Sequence, residues 1–197
     1  ARPGRNATGI STRLSELAAK RIELLRLAVP AAEHVAFLWD RRSRNATAEI
    51  ENAEAAARKA GMRTTPMPVE SQADLNQRFK QIEGERLDGL YVGFSPGMIL
   101  RNRTAIAQFA LRHRVAVISA WAFMTDAGGL LSYSPNVAAI FHRGAYFVDR
   151  ILKGTRPGDL PIERPSAIEF VINLDTARRL GLTIPPSILI RADRVIE

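Results

Sequence analysis

The residues best placed for chemistry are the polar ones that close short apolar runs. Asp40, Arg41, Arg42 and Ser43 follow Val35-Ala36-Phe37-Leu38-Trp39; Ser95 follows Gly89 to Phe94; and Ser119 with Trp121 follows Val115 to Ile118. An arginine pair in such a loop suits a small carboxylate, which a guanidinium can grip with two parallel hydrogen bonds. Trp121, Tyr91 and Phe94 lie at or near run ends and could stack on a flat ligand. Each residue also has a plainer reading, since Asp40 can turn the chain, Ser95 can start a helix and Trp121 can fill core. Their shared position counts for more, because open parallel sheets bind ligands beyond the C-terminal ends of their strands.

Covalent and metal chemistry find little material. The chain has no cysteine, which removes disulfides, thiolate metal sites and a cysteine nucleophile. Neither a Gly-x-Gly-x-x-Gly fingerprint nor a Walker loop occurs. Gly93-Phe94-Ser95-Pro96-Gly97 has the spacing of a nucleophile elbow. Its proline, however, lacks the N–H that an oxyanion hole takes from the residue after the nucleophile. His34, His113 and His142 are far apart, with no second ligand at zinc spacing. The expectation is a protein with no catalytic residue, no metal and no cofactor. The 28 Lys and Arg against 20 Asp and Glu give a net charge of +8. That balance opens nucleic acid or an anionic membrane as partners. Yet the arginines are scattered and only Arg41-Arg42-Ser43-Arg44 is dense, so a generally basic surface and no nucleic-acid partner are expected. No apolar run approaches the ~18–20 residues of a membrane span. The opening Ala1-Arg2-Pro3-Gly4-Arg5 has neither the apolar core of a signal peptide nor a methionine, so upstream residues are expected.

The elements that must hold these ends alternate. After the first run, Ile50, Ala53, Ala57 and Ala60 recur at helical spacing and Gly61 stops the helix. Thr64 to Val69 reads as a strand at a sheet edge because Pro66 and Pro68 cannot donate to a ladder. Ser71 and Asp74 form a capping box ahead of Leu75, Phe79 and Ile82. A helix with Ile99, Ile106 and Phe109 follows Ser95. Runs with so little polar alternation suit strands buried on both faces, and their spacing is that of a βα unit. The fold class is therefore α/β, a three-layer doubly wound parallel sheet. An amphipathic helix with Leu14, Ala18, Ile22 and Leu25 precedes it. Beyond Gly128-Gly129 come a short strand to Ser134, a helix over 136–153, a Pro/Gly-rich linker over 154–166 and a strand from Ile168 to Ile172. A short helix from Asp175 follows, and then a terminal helix from Pro185-Pro186 through Ile196.

Five stretches, in order, resemble one family. They are Arg2-Pro3-Gly4-Arg5-Asn6-Ala7-Thr8-Gly9; Lys20 to Leu25 running to Pro30; Ala127-Gly128-Gly129-Leu130-Leu131-Ser132-Tyr133; Ile151 to Gly154 with Asp159-Leu160-Pro161; and Val171-Ile172-Asn173 leading to Leu180 through Pro186. The similarity is to ABC transporter substrate-binding proteins of the tryptophan-type amino-acid binder family. It implies the type I periplasmic-binding-protein fold, two α/β lobes joined by crossing strands around a ligand cleft, with most of the first lobe missing here. It places residues 11–120 and 167–197 in the second lobe and residues 1–10 at a crossing. Residues 129–153 become a strand-helix piece of the first lobe, and 154–166 a linker.

On that resemblance the ligand-binding residues are Thr8, Asp40, Arg41, Arg42, Ser43, Ser95, Trp121, Ser132 and Tyr133. The implied function is capture of a small solute, an amino acid or other small carboxylate and in particular an aromatic one. The protein would be periplasmic and peripheral to the membrane through its permease partner alone. The alternative is the effector-sensing domain of a transcription regulator. The broad apolar side of the helix over 136–153 (Ile140, Phe141, Phe147, Val148 and Ile151) points to a homodimer.

Overall fold

The computed structural model describes residues 3–95 and 97–197. Arg2 of the first family-like stretch and Pro96 of the elbow-like turn lie outside the described residues. The chain order is β1 (Gly9–Ile10), α1 (Ala18–Ala28), β2 (His34–Asp40), α2 (Arg44–Lys59), β3 (Arg63–Val69), α3 (Gln72–Ile82), β4 (Gly89–Val92), α4 (Met98–Arg101) and α5 (Arg103–Arg112). It continues with β5 (Ala116–Ser119), α6 (Ala122–Asp126), β6 (Leu131–Pro135), α7 (Val137–Leu152), β7 (Ile162–Glu163), β8 (Ile168–Asn173), α8 (Leu174–Leu180), α9 (Pro186–Leu189) and β9 (Arg194–Ile196). Two compact units divide it: Leu14–Ser134 with Glu169–Glu197, and Ala1–Arg13 with Pro135–Ile168.

The larger unit is built on a seven-stranded sheet in the order β3-β2-β4-β5-β6-β8-β9. The neighbours from β3 to β6 run parallel. Asn173 N donates to Leu130 O at 2.8 Å and Asn136 N to Ala167 O at 3.0 Å, so β8 runs against β6, with β9 parallel to β8. Alternate residues of β2 serve two cores. Val35 and Phe37 join Ile22, Leu25 and Ile50 on one face, whereas Ala36 and Leu38 join Leu75 and Ile106 on the other. This explains the unbroken apolar run: a central strand covered by helices on both sides has no wet face. β3 lies at the edge, with Pro66 beside Phe37 and Pro68 beside Trp39, and Ser71 and Asp74 cap α3 reciprocally.

Three expectations need correction. The helix after Ser95 is broken at Asn102 into α4 and α5. No terminal helix reaches Ile196. α9 stops at Leu189 because Asp193 takes the chain back to the sheet, its N–H donating to Phe170 O and its carboxylate accepting from Phe170 N. The piece over 129–153 is not one body, since β6 is hydrogen-bonded into the larger sheet beside β5 and only residues from Pro135 belong to the smaller unit. Gly128-Gly129 forms a packed turn. Gly128 has φ +111°, a conformation glycine tolerates best, and a Cβ on Gly129 would lie 2.9 Å from the Met124 carbonyl oxygen.

In the smaller unit β1 pairs in parallel with β7, so the 154–166 stretch carries structure of its own. Asn136 caps α7, accepting from Ala139 N at 2.8 Å. Arg143 on α7 forks onto Glu163 at 2.7 and 2.6 Å and lies over the Tyr146 ring. Phe147 is buried, while Phe141, Val148 and Leu152 are exposed.

Candidate functional site

Strand order marks the site. β3 lies on one side of β2 and β4 on the other, so the connections reverse direction there and leave a crevice beyond the C-terminal ends of β2 and β4. Asp40 closes β2 and Ser95 follows β4. The two meet, with Asp40 N donating to Ser95 Oγ at 3.1 Å. The Asp40 carboxylate is bound from within its own loop. Oδ1 accepts from Arg42 N at 3.0 Å and Nε at 2.9 Å, and Oδ2 accepts from Nη2 at 2.7 Å. These hydrogen bonds from Arg42 hold the Asp40 carboxyl below its ordinary pKa. Arg41 Nε pairs with Glu70 at 2.9 Å beside the edge strand. Both guanidinium forks expected to meet a ligand carboxylate are thus engaged by the chain's own carboxylates. Ser43 is the N-cap of α2, accepting from Ala46 N.

Beside the crevice stands an aromatic wall. The Phe94 and Trp121 ring centroids are 4.7 Å apart, and Trp121 stacks on Phe123 at 5.6 Å, with 5° between the planes. Ser119 fixes the turn that presents Trp121, accepting from Trp121 N and donating to its carbonyl. The Trp121 indole N–H is buried with no partner among the described residues. Ser132 stands next to Ser119 in register; its hydroxyl, like that of Ser134, is buried and unpartnered among the described residues. The Tyr133 and Phe170 rings meet in a T-shaped pair, with centroids 6.1 Å apart. Thr8 belongs to the smaller unit, where its hydroxyl donates to the carbonyls of Leu160 and Pro161. Tyr91, expected as a stacking surface, is instead fully buried at the core, stacked on Phe37.

Sequence reasoning missed what lies beneath this edge. Arg21, Glu49 and Tyr91 form a wholly buried cluster. Arg21 Nη1 donates to Glu49 Oε1 at 2.9 Å and to the Tyr91 hydroxyl at 2.7 Å, and that hydroxyl donates to Glu49 Oε1 at 2.8 Å. Burial pushes the Glu49 carboxyl up, while Arg21, the Tyr91 hydroxyl and the Phe94 amide pull it back. Burial likewise raises the Tyr91 hydroxyl well above its ordinary range. The available signal was position. Arg21 falls on the apolar stripe of Leu14, Ala18, Leu25 and Ala28, and Glu49 on that of Ala46, Ala53 and Ala57.

The strand-end loops thus bring stacked rings beside a carboxylate that Arg42 neutralises. A family model described as ABC transporter substrate binding protein matches residues 1–196. The chain belongs to that family. Among relatives of this substrate-binding-protein chain is a tyrosine-binding protein of Clostridioides difficile (strain R20291), 21% identical over 181 residues. The match takes in 92% of this chain and 51% of the relative. An ABC domain in complex with L-Trp from Streptococcus pneumonia superposes with a TM-score of 0.87 at 25% identity, covering 99% of this chain and 66% of that one. A ligand-free, open substrate binding protein with adhesive properties from Clostridium difficile shares the fold with a TM-score of 0.72 at 21% identity, covering 99% and 64%. The chain thus spans about half the length of the curated relative and about two thirds of the solved ones.

Proposed function

We propose that this chain forms the greater part of the solute receptor of an ABC importer. In this reading the receptor works outside the cytoplasmic membrane, in the periplasm, and hands its solute to a membrane permease without catalysing a reaction. The observation that carries it is the family match over residues 1–196, joined to an aromatic wall at the crevice where the strand order reverses. The solute class is an aromatic amino acid or similar small carboxylate. Its flat part would lie against Phe94 and Trp121. Asp40, with Arg42 and Ser43 beside it, would form the polar rim, and the unpartnered indole N–H and Ser132 hydroxyl would supply directed hydrogen bonds. Ser95 supports that rim through the Asp40 amide. Arg41 would have to exchange Glu70 for the solute. Tyr133 completes the proposed set. The names of the tyrosine-binding relative and the L-Trp complex support this solute class.

Calorimetry of the chain and of its full-length form against L-tryptophan, L-tyrosine, L-phenylalanine, neutral sugars and inorganic anions tests the reading. Binding of an aromatic amino acid, weaker in this chain alone than in the full-length protein and reduced at least tenfold by Trp121→Ala, is expected; binding of sugars only refutes it. We also propose that copies associate through the exposed apolar side of α7 (Phe141, Val148 and Leu152). Light scattering showing a monomer across micromolar concentrations, with residues 136–153 protected from hydrogen exchange, refutes that.

A further inference from the structure

The buried cluster beneath the crevice reaches upward as well as inward. The last ladder bond of β4 is Gly93 N to Leu38 O at 2.9 Å. Beyond it Phe94 stands in irregular backbone, and its amide has no ladder partner. Glu49 Oε2 takes that amide at 3.1 Å, while Glu49 Oε1 is held by Arg21 and Tyr91. The same guanidinium donates from Nε to the Tyr133 carbonyl at 2.7 Å, on β6. One buried carboxylate and one buried cation thereby fix the backbone behind Phe94 and behind Tyr133. Stability alone is a poor explanation for such a pair, because apolar side chains of the same volume generally serve a core as well or better. What apolar side chains cannot do is accept from the Phe94 amide or donate to the Tyr133 carbonyl.

We propose that Glu49, clamped by Arg21 and Tyr91, is a positioning residue for ligand recognition: it sets the Phe94 backbone, and with it the ring that meets Trp121. As a statement about ligands this rests on the Phe94–Trp121 surface being the wall for the solute; as a statement about geometry it stands alone. Glu49 touches no solute. It acts through the loop.

The test replaces the cluster with apolar groups, as Arg21→Met, Glu49→Leu and Tyr91→Phe together, so that no buried charge or hydroxyl is left unpaired. The urea midpoint is expected to fall only by what the lost Phe94 amide and Tyr133 carbonyl hydrogen bonds contribute, much less than in Glu49→Ala, which strands a buried charge. The near-UV circular dichroism of Trp121, isolated by subtracting the Trp121→Phe spectrum, is expected to lose half its intensity or more. Calorimetric affinity for L-tryptophan or L-tyrosine is expected to fall at least tenfold. A stable variant with unchanged Trp121 dichroism overturns the proposal, as does unchanged affinity in a protein that binds either amino acid. If the unaltered protein binds neither, the solute reading fails and the dichroism alone decides the positioning role. Should the triple variant not fold, hydrogen exchange of the Phe94 amide in the unaltered protein decides. Protection of 100-fold or more over the free-peptide rate supports the clamp, and exchange at the free rate overturns it.

Discussion

Asp40 and Glu49 stand at the same edge of the sheet, and each is paired with an arginine, but their surroundings differ. Arg42, partner of Asp40, is two residues away and its side chain is 59% exposed. Arg21, partner of Glu49, comes from another helix, and both side chains are wholly buried. The rim pair is a local turn that water can enter, so a solute can rearrange it at little cost. The core pair is tied by tertiary structure and cannot open without stranding a charge away from water. A binding surface needs both kinds of group, a rim that can exchange partners and a base that keeps its shape.

Glu49→Ala sharpens the contrast most. It leaves Arg21 buried and uncompensated and is expected to cost about 3–5 kcal/mol, read as a fall in the urea midpoint with unchanged slope. Tyr91→Phe removes one hydroxyl that bridges the same two charges and is expected to cost about 2 kcal/mol in the same measurement.

The third prediction uses pH, because the two carboxylates move in opposite directions. Asp40 is held below its ordinary value, so the unfolded chain binds its proton more readily. The stability it contributes is complete above the ordinary carboxylate value of about 4 and is lost as pH falls through the lower folded value. Glu49 is raised by burial, so the folded chain holds that proton more firmly, and its contribution declines as pH climbs from the ordinary value through the raised one. Asp40→Asn is therefore expected to flatten the acid limb of the stability profile, and Glu49→Gln the limb above it; parallel profiles would erase the distinction. The smallest effect is that of Arg42→Ala, a slight lowering of the urea midpoint that shrinks further in high salt.

The sequence made the rim legible because strand ends are where apolar runs stop, and Asp40, Ser95 and Trp121 all stop one. The run-and-helix alternation likewise gave the parallel part of the sheet. Where reading failed, a long-range bond had overruled local pattern. Asp193 draws the last segment onto β8 although Pro185-Pro186 and the apolar residues after it read as a helix. Arg21 and Glu49 are not legible as a pair because a charge on an apolar stripe shows its partner only once two helices are packed. The arginine pair was visible, but not the carboxylates that occupy it.

The edge strand β3 carries a consequence for the molecule in company. Arg63 N donates inward to Glu33 O, and Val69 O accepts inward from Arg41 N. Backbone groups alternate sides along a strand, so the outward N–H positions of β3 are Thr64, Pro66 and Pro68. Two of those three have no hydrogen to offer. This margin of the sheet therefore offers an approaching strand only the Thr64 N–H as an outward backbone donor. In a crowded population of these chains, growth edge to edge onto β3, the route by which exposed sheets template one another into aggregates, is thereby discouraged.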